Sequence, residues 1–203
     1  MKNLILIVLL FILGSSSYAQ TTATITSKRG LNFKDLQHIL YFEGISLEKF
    51  NIKSADLKGK NFQIIIKEYI KGTLTKIDTV FNSREDEYFR IKSDSLNFAV
   101  LTKMTDKNYF KIHFQFDGFS SARKYHVTPE TAEKFTLKNF FGAKPQLPIV
   151  FSKLNYVLAY MTPYVRPDKS EAYCEVAQSE INPEKLHEKY KLPHYFLIGI
   201  NIE

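Results

Sequence analysis

The chain has 203 residues, 44% hydrophobic and 24% charged, with 8 Gly and 7 Pro, which provides material for a real core and excludes a disordered, collagen-like or low-complexity protein. Its aromatics are 17 Phe and 12 Tyr with no Trp, a balance that suits strands better than a long helical bundle. The formal net charge is +7, yet only 5 of the 28 basic residues are Arg and no Lys/Arg run follows a phosphate-backbone spacing, which argues against nucleic acid as a partner.

Residues 1–19 read as a secretory signal peptide: Lys2, an apolar run over residues 4–13, then small residues with Ser17 and Ala19 at −3 and −1 before a cut at Gln20. Ten apolar residues fall short of the roughly 20 that a membrane span needs. Residues 1–19 contain no Asp or Glu, so losing Lys2 leaves a net +6. The expectation is an exported, periplasmic or extracellular protein with one domain over residues 20–203 and no membrane span. Cys174 is the only cysteine, so no internal disulfide forms; it reads as a buried small hydrophobe, with a catalytic thiolate or an intermolecular disulfide as alternatives.

Along the mature chain, residues 20–29 are Thr-rich and read as loosely held. Over residues 31–42, Phe33, Leu36, Ile39 and Leu40 share one helical face against Lys34, Asp35, Gln37 and His38, which predicts one amphipathic helix. Strand-length runs follow at residues 45–53, 62–70, 74–81, 88–92 and 96–104. Three connections read as hairpins: residues 57–60, Lys71-Gly72 and residues 105–108. Over residues 110–116, Phe110, Ile112, Phe114 and Phe116 alternate with Lys111, His113 and Gln115, placing His113 on the wet face.

Thr128-Pro129-Glu130 opens a helical turn and residues 135–141 read as a strand. Residues 149–160, nearly continuous apolar sequence, predict one central strand buried on both faces. A strand is expected at 172–178, a helix capped by Asn182-Pro183 and running to Lys191, and a closing strand at 195–202 with Phe196, Ile198, Ile200 and Ile202 on one face. Nine or ten strands with two or three small helices make a two-layer antiparallel β-sandwich the expected fold, with a β-barrel as the alternative.

Chemical motifs are sparse. No two of His38, His113, His126, His187 and His194 share a metal-ligand spacing, and His187-Glu188 lacks the second His of a zinc-protease helix because Lys191 stands there. No nucleophile elbow or phosphate loop occurs. The pairs Ser46/Lys49 and Ser121/Lys124 match Ser-x-x-Lys without the partner motifs of penicillin-recognising enzymes. The run Arg84-Glu85-Asp86-Glu87 reads as solvated loop. Tyr156, Tyr160, Tyr164 and Tyr173 read either as sugar-stacking rings near the 162–169 loop or as packing residues. No catalytic residue, metal ligand or cofactor is nominated. The lysines, spread singly, read as a solvated surface, or as a patch for acidic glycans, lipopolysaccharide or peptidoglycan.

The strings Leu158-Ala159-Tyr160, Tyr173-Cys174-Glu175-Val176-Ala177-Gln178, Asn182-Pro183-Glu184-Lys185 and Pro193-His194-Tyr195-Phe196-Leu197, with Leu57-Lys58-Gly59-Lys60-Asn61, resemble a family of secreted Bacteroidetes proteins whose domain has no known function. That resemblance implies export and one domain, and no activity. The functional expectation is therefore a non-enzymatic exported binding module for a glycan, an envelope component or another protein. A hydrolase acting on envelope or dietary polymers and a structural accessory domain are the alternatives.

Overall fold

The computed structural model describes residues 21–173, 175–176 and 181–203; the expected signal peptide and Cys174 lie outside them. In chain order the strands are β1 (Thr22–Arg29), β2 (Ser46–Lys53), β3 (Phe62–Ile70), β4 (Thr73–Asn82), β5 (Ser95–Met104), β6 (Tyr109–Phe116), β7 (Ser120–His126), β8 (Thr136–Asn139), β9 (Gln146–Val150), β10 (Asn155–Met161), β11 (Tyr164–Val165), β12 (Glu171–Ala172) and β13 (His194–Ile202). The helices are α1 (Lys34–Phe42), α2 (Pro129–Ala132) and α3 (Leu186–Tyr190). Sheet A runs β7-β6-β5-β2-β1-β9, sheet B runs β4-β3-β13-β10-β8, and β11 and β12 form a small ribbon. The pairings are antiparallel, the two sheets stack, and neither closes into the alternative barrel.

Period-two alternation sends Ile25, Phe50, Ile52, Val100, Phe110, Ile112 and Phe114 of sheet A against Ile64, Ile66, Leu158, Phe196, Ile198 and Ile200 of sheet B. Phe110 stacks on Tyr160 with ring centroids 4.0 Å apart. A second apolar layer covers the outer face of sheet B, where Tyr69, Met161, Tyr195 and Leu197 meet Tyr164, Leu186, Tyr190 and Leu192. Middle strand β13 is thus buried on both faces, which is why residues 195–200 are an almost unbroken apolar run. Each such side chain contributes about 1.5–3 kcal/mol.

Several expectations are corrected. Residues 20–29 contain β1, an interior strand of sheet A whose Ala23 and Ile25 are buried between outward threonines. The expected single strand over 149–160 is two strands in different sheets, β9 and β10. The chain reverses at Ser152, φ 59°, and the Asn155 carboxamide imitates a ladder there, accepting from Val150 N and donating to Val150 O, both at 2.9 Å. Residues 57–60 cross from sheet A to sheet B and make no hairpin; Gly59 N donates to Ile91 O at 2.7 Å instead. No strand occupies 88–92, where a 3-10 turn at Glu87–Phe89 is capped by Asp86. Of the expected strand at 172–178, residues 172, 173, 175 and 176 are described; among them only Ala172 is in a strand, β12, and 175–176 are helical. Strand β7, which has no strongly alternating pattern, was not expected; Ser121 and Tyr125 fasten it to β4 through Val80 O and Asp78.

Helix α1 forms where predicted, yet none of its residues is buried. Phe33, Leu36 and Ile39, from the apolar side of the expected amphipathic helix, are 72%, 50% and 56% exposed.

Candidate functional site: a lysine-rich sheet face

The outer face of sheet A is open. Alternation places on it Thr22, Thr24, Thr26 and Lys28 from β1, then Lys49, Asn51 and Lys53 from β2, and Asn97, Ala99, Leu101 and Lys103 from β5. Strand β6 adds Tyr109, Lys111, His113 and Gln115, and β7 adds Ser120, Ala122, Lys124 and His126. No outward position on these strands, or on β9, is Asp or Glu. Residues 21–203 hold 27 Lys/Arg against 21 Asp/Glu; with these six lysines set aside, the two counts are equal at 21, so the whole positive excess stands on one face.

Register arranges the charges in rows. Lys103 lies opposite Lys111, and Lys111 opposite Lys124. Three ammonium groups therefore stand on three adjacent strands spaced about 4.8 Å apart. The next row is His113 between Leu101 and Ala122, with Leu47 beyond Leu101. Beyond it, Lys49 lies opposite both Lys28 and Ala99. Two lysine rows roughly 13 Å apart along the strands thus flank a weakly polar row. Ile45, Leu101, Lys103, Lys111 and His113 line an open depression of about 500 Å³. Lys103 reaches Glu43, the C-cap of α1, at 2.8 Å, and the hydrogen bond from Lys103 holds the Glu43 carboxyl below the usual carboxylate range. Among the described residues this is the one ion pair made by the six lysines.

Like charges directly opposite on a sheet destabilise it. A fold selected for stability alone gains nothing from such a row, and local violations of good packing electrostatics concentrate at functional sites.

The larger groove elsewhere is balanced. About 730 Å³ lies between α2, the β11-β12 ribbon and α3, lined by Lys134, Arg166 and Lys189 as well as Glu130, Glu171 and Glu175. Glu171 is paired with Lys134 at 2.6 Å and Glu175 with Arg166 at 3.1 Å. The Glu175 carboxyl is held down, chiefly by the Tyr164 hydroxyl, the opposite of what a general acid requires. His194 lies 2.8 Å from Glu68, but the pair is buried behind Phe135 and Phe196.

The four tyrosines do not make one platform. Tyr160 is core, stacked between Phe110 and Phe135; Tyr164 packs on Tyr190; Tyr156 donates to Glu184; and Tyr173 donates to Lys134 O at 2.9 Å with Lys138 over its ring. Arg84 of the charge run pairs with Glu203. His113 and His126 share the lysine face, and His187 is 2.8 Å from Leu192 O. The lysine rows were invisible in the sequence because rows exist only once register is known. Compared with protein-family models, with curated proteins and with solved structures, the chain matches none.

Proposed function

We propose that this protein is an exported, non-enzymatic binding module whose open sheet A face takes an anionic component of the cell envelope. The Lys103–Lys111–Lys124 row carries the reading: three of the six lysines that make up the positive excess stand side by side on strands whose outward positions hold no Asp or Glu, with Glu43 of α1 pairing Lys103 alone, and such a field attracts and orients anionic partners. Threonine, asparagine and glutamine side chains across the face add neutral hydrogen-bond donors and acceptors of the kind that recognise sugar or headgroup oxygens. The face has neither Arg nor a series of exposed rings for base stacking, so an envelope anion is a better match than a nucleic acid.

The test is retention on immobilised polygalacturonate, and separately on anionic lipid, under a sodium chloride gradient. Lys103, Lys111 and Lys124 changed together to Gln should lower the eluting salt concentration markedly. Changing Lys58, Lys153 and Lys169, which are exposed and lie elsewhere, removes the same charge and should have little effect. Equal effects from both triple variants would reduce the face to general solubility and end the proposal.

A further inference from the structure

Resting on that reading of the lysine face, a second observation narrows the ligand. Helix α1 stands beside the lysine row, tied to it by Glu43 and Lys103, and Ile45 just beyond it lines the same depression as Leu101 and Lys111. The α1 segment exposes Phe33 at 72%, Leu36 at 50%, Ile39 at 56%, Tyr41 at 85% and Phe42 at 89%. Its three rings together expose on the order of 500 Å², Phe33 at the N-cap and Tyr41 and Phe42 at the C-terminal end. A short helix with uncovered aromatic and aliphatic side chains next to a row of lysines has the composition of an element lying in a membrane interface.

We infer that α1 and the Lys103–Lys111–Lys124 row together dock on an anionic lipid surface, the rings entering the headgroup boundary while the ammonium groups meet lipid phosphates. Charge complementarity selects this occupant. A second copy meeting the first through this region would oppose lysine row to lysine row. A soluble acidic polysaccharide satisfies the lysines but offers nothing apolar to five exposed hydrophobic side chains. Among the described residues no helix is long and apolar enough to cross a membrane, and the contact inferred is an interfacial one.

The absence of Trp supplies a clean probe. Phe42→Trp places one indole on α1, and Lys153→Trp places one on an exposed turn away from it. Adding vesicles of mixed phosphatidylglycerol and phosphatidylcholine should shift the emission of the α1 indole to the blue and leave the other unchanged; vesicles of phosphatidylcholine alone should shift neither. In vesicle flotation, Ile39→Ser with Phe42→Ser should weaken binding by about tenfold or more. Each Lys→Gln in the row should weaken it by about fivefold.

Anionic vesicles bound with no blue shift at position 42, or bound equally by the Ile39/Phe42 variant, would overturn the inference. So would a concentration-dependent blue shift without vesicles, which would make the occupant a second copy. Lysine-dependent retention on polygalacturonate without vesicle binding would overturn the lipid assignment and leave the anion-binding reading standing. Binding to neither would end both.

Discussion

Lys103 and Lys111 face one another directly across β5 and β6, with Lys124 next in line on β7. Opposed like charges weaken a sheet by roughly 0.2–1 kcal/mol per pair, and the strands that carry them lie about 4.8 Å apart, within the Debye length of about 8 Å at physiological salt. Lys111→Gln removes both repulsions at once. It should raise the melting temperature by about 1–4 °C at low salt while weakening ligand binding, and the wild-type melting temperature should climb with sodium chloride more steeply than that of the variant. A set of thermal melts across salt decides it; a destabilised Lys111→Gln protein with an unchanged salt slope would show that the row carries no strain.

The sandwich was legible because its central strands alternate or run continuously apolar, as in Phe110 to Phe116 and Phe196 to Ile202. Errors came where side-chain chemistry replaces pattern. Thr22, Thr24 and Thr26 made β1 look like a polar arm, although β-branched threonines suit an outward strand face. Asn155 hid a reversal inside what read as one strand, since its carboxamide performs the hydrogen bonding that a turn motif would have announced. The alternation that identified Lys111 and His113 as outward was visible; which residues stand beside them on β5 and β7 was not, because register is set by turns and tertiary packing. The same limit applies to α1, whose periodicity gave the helix but not the fate of its apolar side.

Glu48 is the charge most deeply placed between the sheets, at 1% exposure. It accepts from Ser27 Oγ, from Arg29 Nε at 3.1 Å and from Asn139 Nδ2 at 2.7 Å, while Arg29 also donates to Leu137 O at 2.9 Å. The network therefore joins β1 and β2 of sheet A to β8 of sheet B. Removing Arg29 leaves the buried Glu48 carboxylate without its counter-charge, costing up to about 3–5 kcal/mol, whereas removing Glu48 leaves a half-exposed Arg29 guanidinium that water can solvate and should cost less, near about 1–3 kcal/mol for the lost hydrogen bonds. Urea unfolding should find Arg29→Ala and Glu48→Ala both destabilised, and the double variant less so than their sum. Strict additivity would mean that the pair is not coupled.

The β3-β4 hairpin turns on Lys71 and Gly72, φ 49° and 82°, the left-handed pair of a two-residue turn whose twist matches the strands. A Cβ on Gly72 would stand 2.7 Å from the His187 ring of α3, whereas one on Gly59, φ 83°, would meet nothing within 4 Å. Gly59→Ala therefore measures backbone strain alone, about 1–2 kcal/mol. Gly72→Ala adds the displacement of His187 and should lose more. Paired unfolding curves test this, and equal losses would show that α3 yields freely.

Tyr69 and Tyr195 stack at 4.9 Å with planes 2° apart on the outer face of sheet B. Burial first, then nearby charge, pushes both hydroxyls up to about 12, against about 10 in an unfolded chain. A group whose folded pKa is raised contributes stability that is intact below the unfolded value and is lost as pH rises through the folded one. Stability should therefore fall between pH 10 and about 12, with a slope approaching about 1.4 kcal/mol per pH unit for each tyrosine. Beside them, Glu184 has its carboxyl held below the ordinary range, first by the hydrogen bond from Lys67 and then by that from Tyr156. Its sign is opposite: that contribution is present above the unfolded carboxylate pKa and fades as pH drops through the lower folded value. Urea midpoints measured from acid to alkali should trace both limbs, with phenolate absorbance appearing alongside alkaline unfolding. Tyr195→Phe should flatten the alkaline limb and leave the acid limb in place, whereas Lys67→Met should flatten the acid limb; an alkaline limb unchanged in Tyr195→Phe would remove this tyrosine from the linkage.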